Sequence, residues 1–201
     1  QHKFRPNAPL QEHDVLRFEA DHHVKLPEDY RAFLIHAGNG GAGPYYGIYT
    51  LDRWNDSLEA VCDEIPADIL SLPCPLTSGM VRDDAWESRL EQHISPFQGM
   101  ISLGTQGCTY EMGLIITGHS AGRVVYFDTE GQPPYVVRER DFLSWYERWL
   151  DELLGGYEMA WFGFGIGGDE LHLLGRLDHH TTGEIDRIEA LQALARLPHL
   201  S

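Results

Sequence analysis

The sequence predicts an α+β fold: a mainly antiparallel sheet of about five to six strands flanked by helices, with a C-terminal helical tail. Three observations predict it. Apolar residues recur at helical spacing over 11–23, 27–37 and 141–154. Short runs rich in β-branched and aromatic residues, mostly bounded by glycine or proline, stand at 45–51, 100–103, 110–117, 123–128 and 135–137. The last four runs are joined by short links, which suit antiparallel neighbours, whereas parallel strands need a crossover of about a dozen residues or more.

Residues 1–9 are polar with two prolines and read as a coil leading in. The first helix, 11–23, is expected to bury Val15, Leu16, Phe18 and Ala20. In the second, 27–37, Pro27 suits the first turn, where an N–H would lack a partner, and Glu28 and Asp29 place negative charge at the positive end of the helix dipole. Tyr30, Phe33, Leu34 and Ala37 form its apolar face, and Gly38 is placed for a left-handed stop before the turn Asn39-Gly40-Gly41. Tyr45–Leu51 reads as the first strand. From Asp52 to Glu91 the chain carries ten acidic side chains against three arginines, with short helices expected around 56–63 and 83–93 and a proline-bearing loop at 66–79. Strands at 100–103, 110–117 and 123–128 follow, the last two joined by the loop Gly118-His119-Ser120-Ala121-Gly122. After a turn at 129–134 and a short strand, Asp141 caps a helix with Phe142, Tyr146, Trp149, Leu150 and Leu153 on one face and Gly155 as its stop.

Beyond residue 155 the character changes. Residues 155–168 alternate glycine with Tyr157, Trp161, Phe162 and Phe164, a loop expected to lay aromatics on the rest of the chain. A short helix at 171–177 precedes Thr181-Thr182-Gly183-Glu184, which has capping-box spacing, and a last helix with Ile185, Ile188, Leu191 and Ala195 inward, ended by Pro198. The division expected is therefore one domain over 1–155, with 52–98 as an acidic elaboration, and a glycine-aromatic loop and helical pair over 156–201 packed upon it.

Charge narrows the partners. With 31 acidic and 15 basic side chains in 201 residues, the net charge is −16. Nucleic acid and anionic membrane are poor partners for such a surface, and a basic protein is a good one. No apolar run approaches the roughly 18 residues that a membrane span needs. Cys62, Cys74 and Cys108 have no metal-ligand spacing and form an odd set, which points to a reducing cytoplasm. Gln1 in place of an initiating Met leaves room for a leader upstream.

Three motifs carry candidate chemistry. Gly118-His119-Ser120-Ala121-Gly122 matches the nucleophile elbow G-x-S-x-G, which needs Ser120 on a strand-to-helix turn. Here Arg123 to Asp128 reads as strand, so a hairpin loop is expected instead. Gly163-Phe164-Gly165-Ile166-Gly167-Gly168 satisfies the dinucleotide fingerprint, but no β-α-β unit surrounds it, and a turn with packed aromatics is expected. Cys108 at a strand head is expected to be a buried small hydrophobe rather than a nucleophile. His22-His23 and Asp178-His179-His180 hold ligand types, yet adjacent histidines on a helix diverge and form no site alone. No catalytic set, cofactor or metal is expected.

The stretch Leu26-Pro27-Glu28-Asp29-Tyr30, with Phe33-Leu34 and Asn39-Gly40-Gly41, resembles the signature of the SUKH superfamily. Gly104-Thr105-Gln106-Gly107-Cys108 and the aromatic helix Asp141-Phe142-Leu143-Ser144-Trp145-Tyr146 continue the resemblance, which covers residues 10–155 apart from an elaboration at 52–98. The superfamily includes a fungal cell-wall synthesis regulator and many bacterial immunity proteins. The resemblance implies a non-enzymatic protein that neutralises a cognate toxin, often a nuclease, by direct binding. Two alternatives stand beside it: a small serine hydrolase using Ser120, and a regulatory scaffold of the cell-wall-regulator type. Leu26, Pro27, Tyr30, Phe33, Leu34, Asn39, Gly40 and Gly41 are expected to be structural. Asp52, Asp56, Glu59, Asp63, Glu64, Asp83, Asp84 and Glu87 are expected to meet a basic partner, because loops on a fixed scaffold are where recognition residues tend to sit.

Overall fold

Helix α1, Glu12–Asp21, is two residues shorter than expected at its C-terminal end and turns a different face inward. Val15 is fully buried, but Leu16 and Ala20 are exposed and Glu19 is buried. The carboxylate of Glu19 explains the rotation. It accepts the Leu26 N–H at 3.0 Å and the Lys25 ammonium at 3.2 Å, so a charged side chain closes the turn into α2. The structure is a computed structural model, which describes residues 4–60, 64–77, 97–130, 132–178 and 182–198.

Helix α2 spans Glu28–His36, with Pro27 at the N-cap position just outside it. Tyr30, Phe33 and Leu34 are buried as their spacing predicts, whereas Ala37 at the C-cap is exposed. Gly38 does not supply the left-handed stop: positive φ falls at Gly40 (73°) and Gly41 (99°). Gly38 is small for another reason, since a Cβ there would stand 2.6 Å from the Asn7 carbonyl oxygen. The turn is a junction for three segments. Asn7 N–H donates to the Gly40 carbonyl at 2.9 Å, Gly41 and Ile48 exchange backbone bonds at 2.8 and 3.0 Å, and the Asn39 side-chain oxygen accepts the Leu51 N–H at 2.8 Å.

Residues 45–51 do not form the expected strand. Tyr45 has φ 54° and Gly47 φ 97°, so the chain kinks twice within three residues. Only Tyr46 and Tyr49 donate to β1, at 3.4 and 2.8 Å, and a 3-10 turn, Leu51–Arg53, leads into the short α3, Asp56–Glu59. Helix α3 stops short of the expected 56–63, with Ala60 as its C-cap, and residues 61–63 and the expected helix at 83–93 lie outside the described residues.

The sheet consists of β1 (Met100–Gly107), β2 (Tyr110–Ile115), β3 (Val124–Asp128) and β4 (Tyr135–Val136), antiparallel in the order β1-β2-β3-β4. Among the described residues it has four strands, slightly below the expected five to six, because residues 45–51 flank β1 without joining it. Helix α4, Phe142–Leu154, is capped twice: Asp141 accepts the Ser144 N–H at 2.8 Å, and Asp29 from the first turn of α2 accepts the Leu143 N–H at 3.0 Å. Phe142, Trp145, Trp149 and Glu152 are buried, while Leu150 is exposed. The helix is covered on a second side by the tail, where Trp145 meets Phe162 with ring centroids 5.8 Å apart, and so its buried arc is wider than one stripe. Gly155 is not left-handed; the positive φ of 74° is at Gly156.

In the tail, Phe162 is buried and Phe164 stacks on Tyr135 with centroids 5.2 Å apart, but Trp161 is exposed. Helix α5, Glu170–Gly175, is capped by Asp169. Helix α6, Glu184–Leu194, begins after Gly183, with no side-chain cap bond, so the expected capping box is not its N-terminus. Ile166, Leu173, Ala190, Ala193 and Leu194 make a second small core. Ile185, Ile188 and Leu191, expected inward, are 65%, 49% and 57% exposed, and Ala195 is exposed too. Arg138 sets this orientation, pairing with Asp186 at 3.0 Å and Glu189 at 2.9 Å and turning that side of α6 toward the sheet.

Phe33 sits 5.0 Å from both Phe142 and Tyr146, between α2 and α4, at 3% exposure. Phe33→Ala is expected to cost about 3–5 kcal/mol. Denaturant unfolding measures it, and a variant unfolding at the wild-type midpoint would place this face outside the core.

Candidate functional site

The acidic segment is fastened to the sheet by α3. Ser57 N–H donates to the Ser102 hydroxyl at 2.9 Å, the Ser57 hydroxyl donates to Glu111 at 2.7 Å, and Ser102 N–H donates to the Trp54 carbonyl at 2.6 Å. Buried serines thereby hold the start of the segment against β1 and β2. Asp52, Glu59 and Glu64 are exposed on it. Asp56 instead pairs with Arg53 at 2.5 Å, and that guanidinium lies 3.8 Å from the centre of the Tyr49 ring. Glu59 accepts the Asn55 amide at 2.8 Å, leaving its charge unneutralised by that bond. Asp63, Asp83, Asp84 and Glu87 lie outside the described residues.

Ser120 is on a hairpin loop. Gly118, at φ 88°, packs on Cys74, and Gly122 N–H donates to the Ile115 carbonyl at 2.8 Å, which closes the loop between β2 and β3. Ser120 is 4% exposed and leads into strand β3, whereas an elbow nucleophile stands exposed before a helix. The G-x-G-x-x-G stretch lies between α4 and α5. Its Gly165 and Ile166 carbonyls accept from Arg148 at 3.0 and 3.3 Å, and Gly165 N–H donates to the Tyr135 hydroxyl at 2.9 Å, so internal groups occupy the loop's polar atoms.

Cys108 corrects its expectation: it is exposed at the β1–β2 turn with φ 53°. Cys74 is the buried thiol, and burial pushes its pKa up to about 11. The His22 ring is inserted between Phe18 and Trp54, at 4.5 and 4.7 Å, and burial lowers its pKa, while His23 is exposed. Among the described residues no cluster of three metal-ligating side chains occurs. His179 and His180 lie outside them.

A buried ion network joins α4 to the tail. Arg148 pairs with Glu139 at 2.6 Å and with Glu152 at 2.7 Å, and Glu152 also pairs with Arg196, which donates to the Glu158 carbonyl at 2.8 Å. Burial opposes the charge on Arg148, but Glu139 and Glu152 more than offset it and raise its pKa. The network borders a cavity of about 480 Å³ lined also by Tyr157 and Asp169. Its only local sequence signal is the four-residue spacing of Arg148 and Glu152 on α4, and Arg196 is too distant in sequence to be foreseen.

An antiparallel sheet with two helices seamed by aromatics, and among the described residues no elbow or dinucleotide geometry, defines an α+β scaffold. The profile of the SMI1/KNR4 family (SUKH-1) matches residues 9–148, and the chain belongs to that family. No curated protein and no solved structure matches it. The match ends within α4, so α5 and α6 lie beyond it. No described helix is long and apolar enough to cross a membrane.

Arg196→Ala leaves Glu152, whose side chain is 5% exposed, with half its ion pairs. The expected loss is about 3 kcal/mol, because removing one partner strands a buried charge. A variant that melts with the wild type would show that the tail is not integral to the fold. Ser120→Ala is expected to leave binding to any partner unchanged and to abolish no hydrolysis. An esterase activity or fluorophosphonate labelling that disappears in this variant would reverse the reading of the loop.

Proposed function

We propose that this chain is a cytoplasmic, non-enzymatic immunity protein that neutralises a cognate toxin by binding it directly. Membership of the SMI1/KNR4 family carries the reading, since its wider superfamily includes many immunity proteins of bacterial toxin systems. The net charge of −16 supports a basic partner, and a toxin that acts on nucleic acid must present a basic face. Asp52, Glu59 and Glu64, exposed on a segment fastened by buried serines, are suited to meet it, with Asp63, Asp83, Asp84 and Glu87 as further candidates on the same segment. Acids on a fixed support steer a basic protein toward the surface without needing to bury their charge.

The partner is sought in the open reading frame beside this chain's own. Its C-terminal domain is expected to kill a host that lacks this chain and to spare one that expresses it. The variant Asp52→Asn, Glu59→Gln, Glu64→Gln is expected to associate more slowly than wild type at about 0.1 M salt. The difference should vanish near 1 M, where the screening length falls from about 10 Å to about 3 Å. Equal association rates at every salt concentration would remove the acidic segment from the interface, and a host killed regardless of this chain would overturn the immunity reading itself.

A further inference from the structure

Helix α6 is apolar on two opposite faces, and the bulkier one is outside. Ala190, Ala193 and Leu194 face the small core of the tail, while Ile185, Ile188 and Leu191 follow one another at intervals of three along the outer side. Successive residues at that spacing stay on one side of a helix, so the three make a ridge about 9 Å long. A helix ordinarily buries its large aliphatics and shows its small or polar residues, and an exposed stripe of this kind marks a contact surface.

The ridge is presented rigidly. Arg138 holds Asp186 and Glu189 on the far side, Arg187 donates to the Thr182 carbonyl at 2.8 Å at the N-terminal end, and Glu158 N–H donates to the Arg196 carbonyl at 2.8 Å at the C-terminal end.

We propose that the outer face of α6 docks an amphipathic helix of a basic protein, with the partner's apolar stripe on Ile185, Ile188 and Leu191. Charge selects this occupant. Residues 156–201 carry seven acidic side chains against three basic ones, and with Asp186 and Glu189 paired to Arg138 an excess of acid remains, five against three. Glu184 is exposed at the head of the ridge. Lysines or arginines flanking the partner's stripe complement these acids. A second copy of this chain fits less well, because it brings another −16 charge. The site is separate from α3: α3 packs at the β1 side of the sheet, whereas α6 is held from Arg138, just past β4.

The partner's identity rests on the immunity reading, and the test separates the two. The probe is the toxin domain encoded in the adjacent frame, measured against the full chain and the variant Ile185→Ser, Ile188→Ser, Leu191→Ser. Because these side chains are already exposed, the variant is expected to melt with the wild type. Its Kd is expected to rise about 100-fold or more through faster dissociation, at low and high salt alike. Should the triple variant lose its fold, Ile188→Ser alone is expected to give about a tenfold loss. Wild type and variant binding equally would overturn this face and leave the immunity reading intact. A wild type that does not bind the toxin overturns both. A wild type that sediments as a dimer, and a variant that sediments as a monomer, would make a second copy the occupant and overturn the proposal.

Discussion

The seam between α2 and α4 is the contact on which the rest of the molecule depends. Phe33 and Tyr30 from α2 meet Phe142 and Tyr146 from α4 with ring centroids 4.9 to 5.0 Å apart in edge-on or tilted pairs. Such pairs add specific geometry to the burial of large apolar area. The polar complement is Asp29, which satisfies a free N–H at the start of α4 while sitting in the first turn of α2. One helix therefore caps the other, and their relative position is set by both packing and a hydrogen bond. The Asn39-Gly40-Gly41 turn then carries that position to the N-terminal segment and to the β1 edge.

The tail is joined by different physics. Its aromatics supply area, but Arg148, Glu139, Glu152 and Arg196 supply the register. A buried charge network of this kind adds little net stability compared with an apolar contact of equal size, yet breaking it is costly. That asymmetry makes it a device for placing α6 in one orientation. With Arg138 holding the opposite flank and Ala190, Ala193 and Leu194 in the small core, the aliphatic ridge faces outward.

Both candidate contact surfaces lie on additions to the seamed helices and sheet. The acidic segment hangs from β1 and β2 through two buried serines, and α6 sits past β4. Substitutions on these additions leave the aromatic seam untouched, because none of its rings lies on them.

Much of the fold was legible in the chain alone. The spacing of Tyr30, Phe33 and Leu34, the cap at Asp141, the antiparallel order of β1 to β4 and the hairpin at Gly118 to Gly122 are local matters, decided by residues a few positions apart. The acids of the candidate partner surface were legible only as composition: three of them prove exposed, Asp56 is paired, and the other four lie outside the described residues. Tertiary structure decided what periodicity leaves open. Leu16, Leu150, Ile188 and Leu191 have the right spacing for burial but are exposed, while Glu19 and Glu152 are buried because Leu26, Arg148 and Arg196 satisfy them. Residues 45–51 have strand composition, but the left-handed turns at Tyr45 and Gly47 keep them out of the sheet. Amphipathic spacing shows that a helix has an apolar face; which face is buried depends on partners that can lie 44 to 51 residues away.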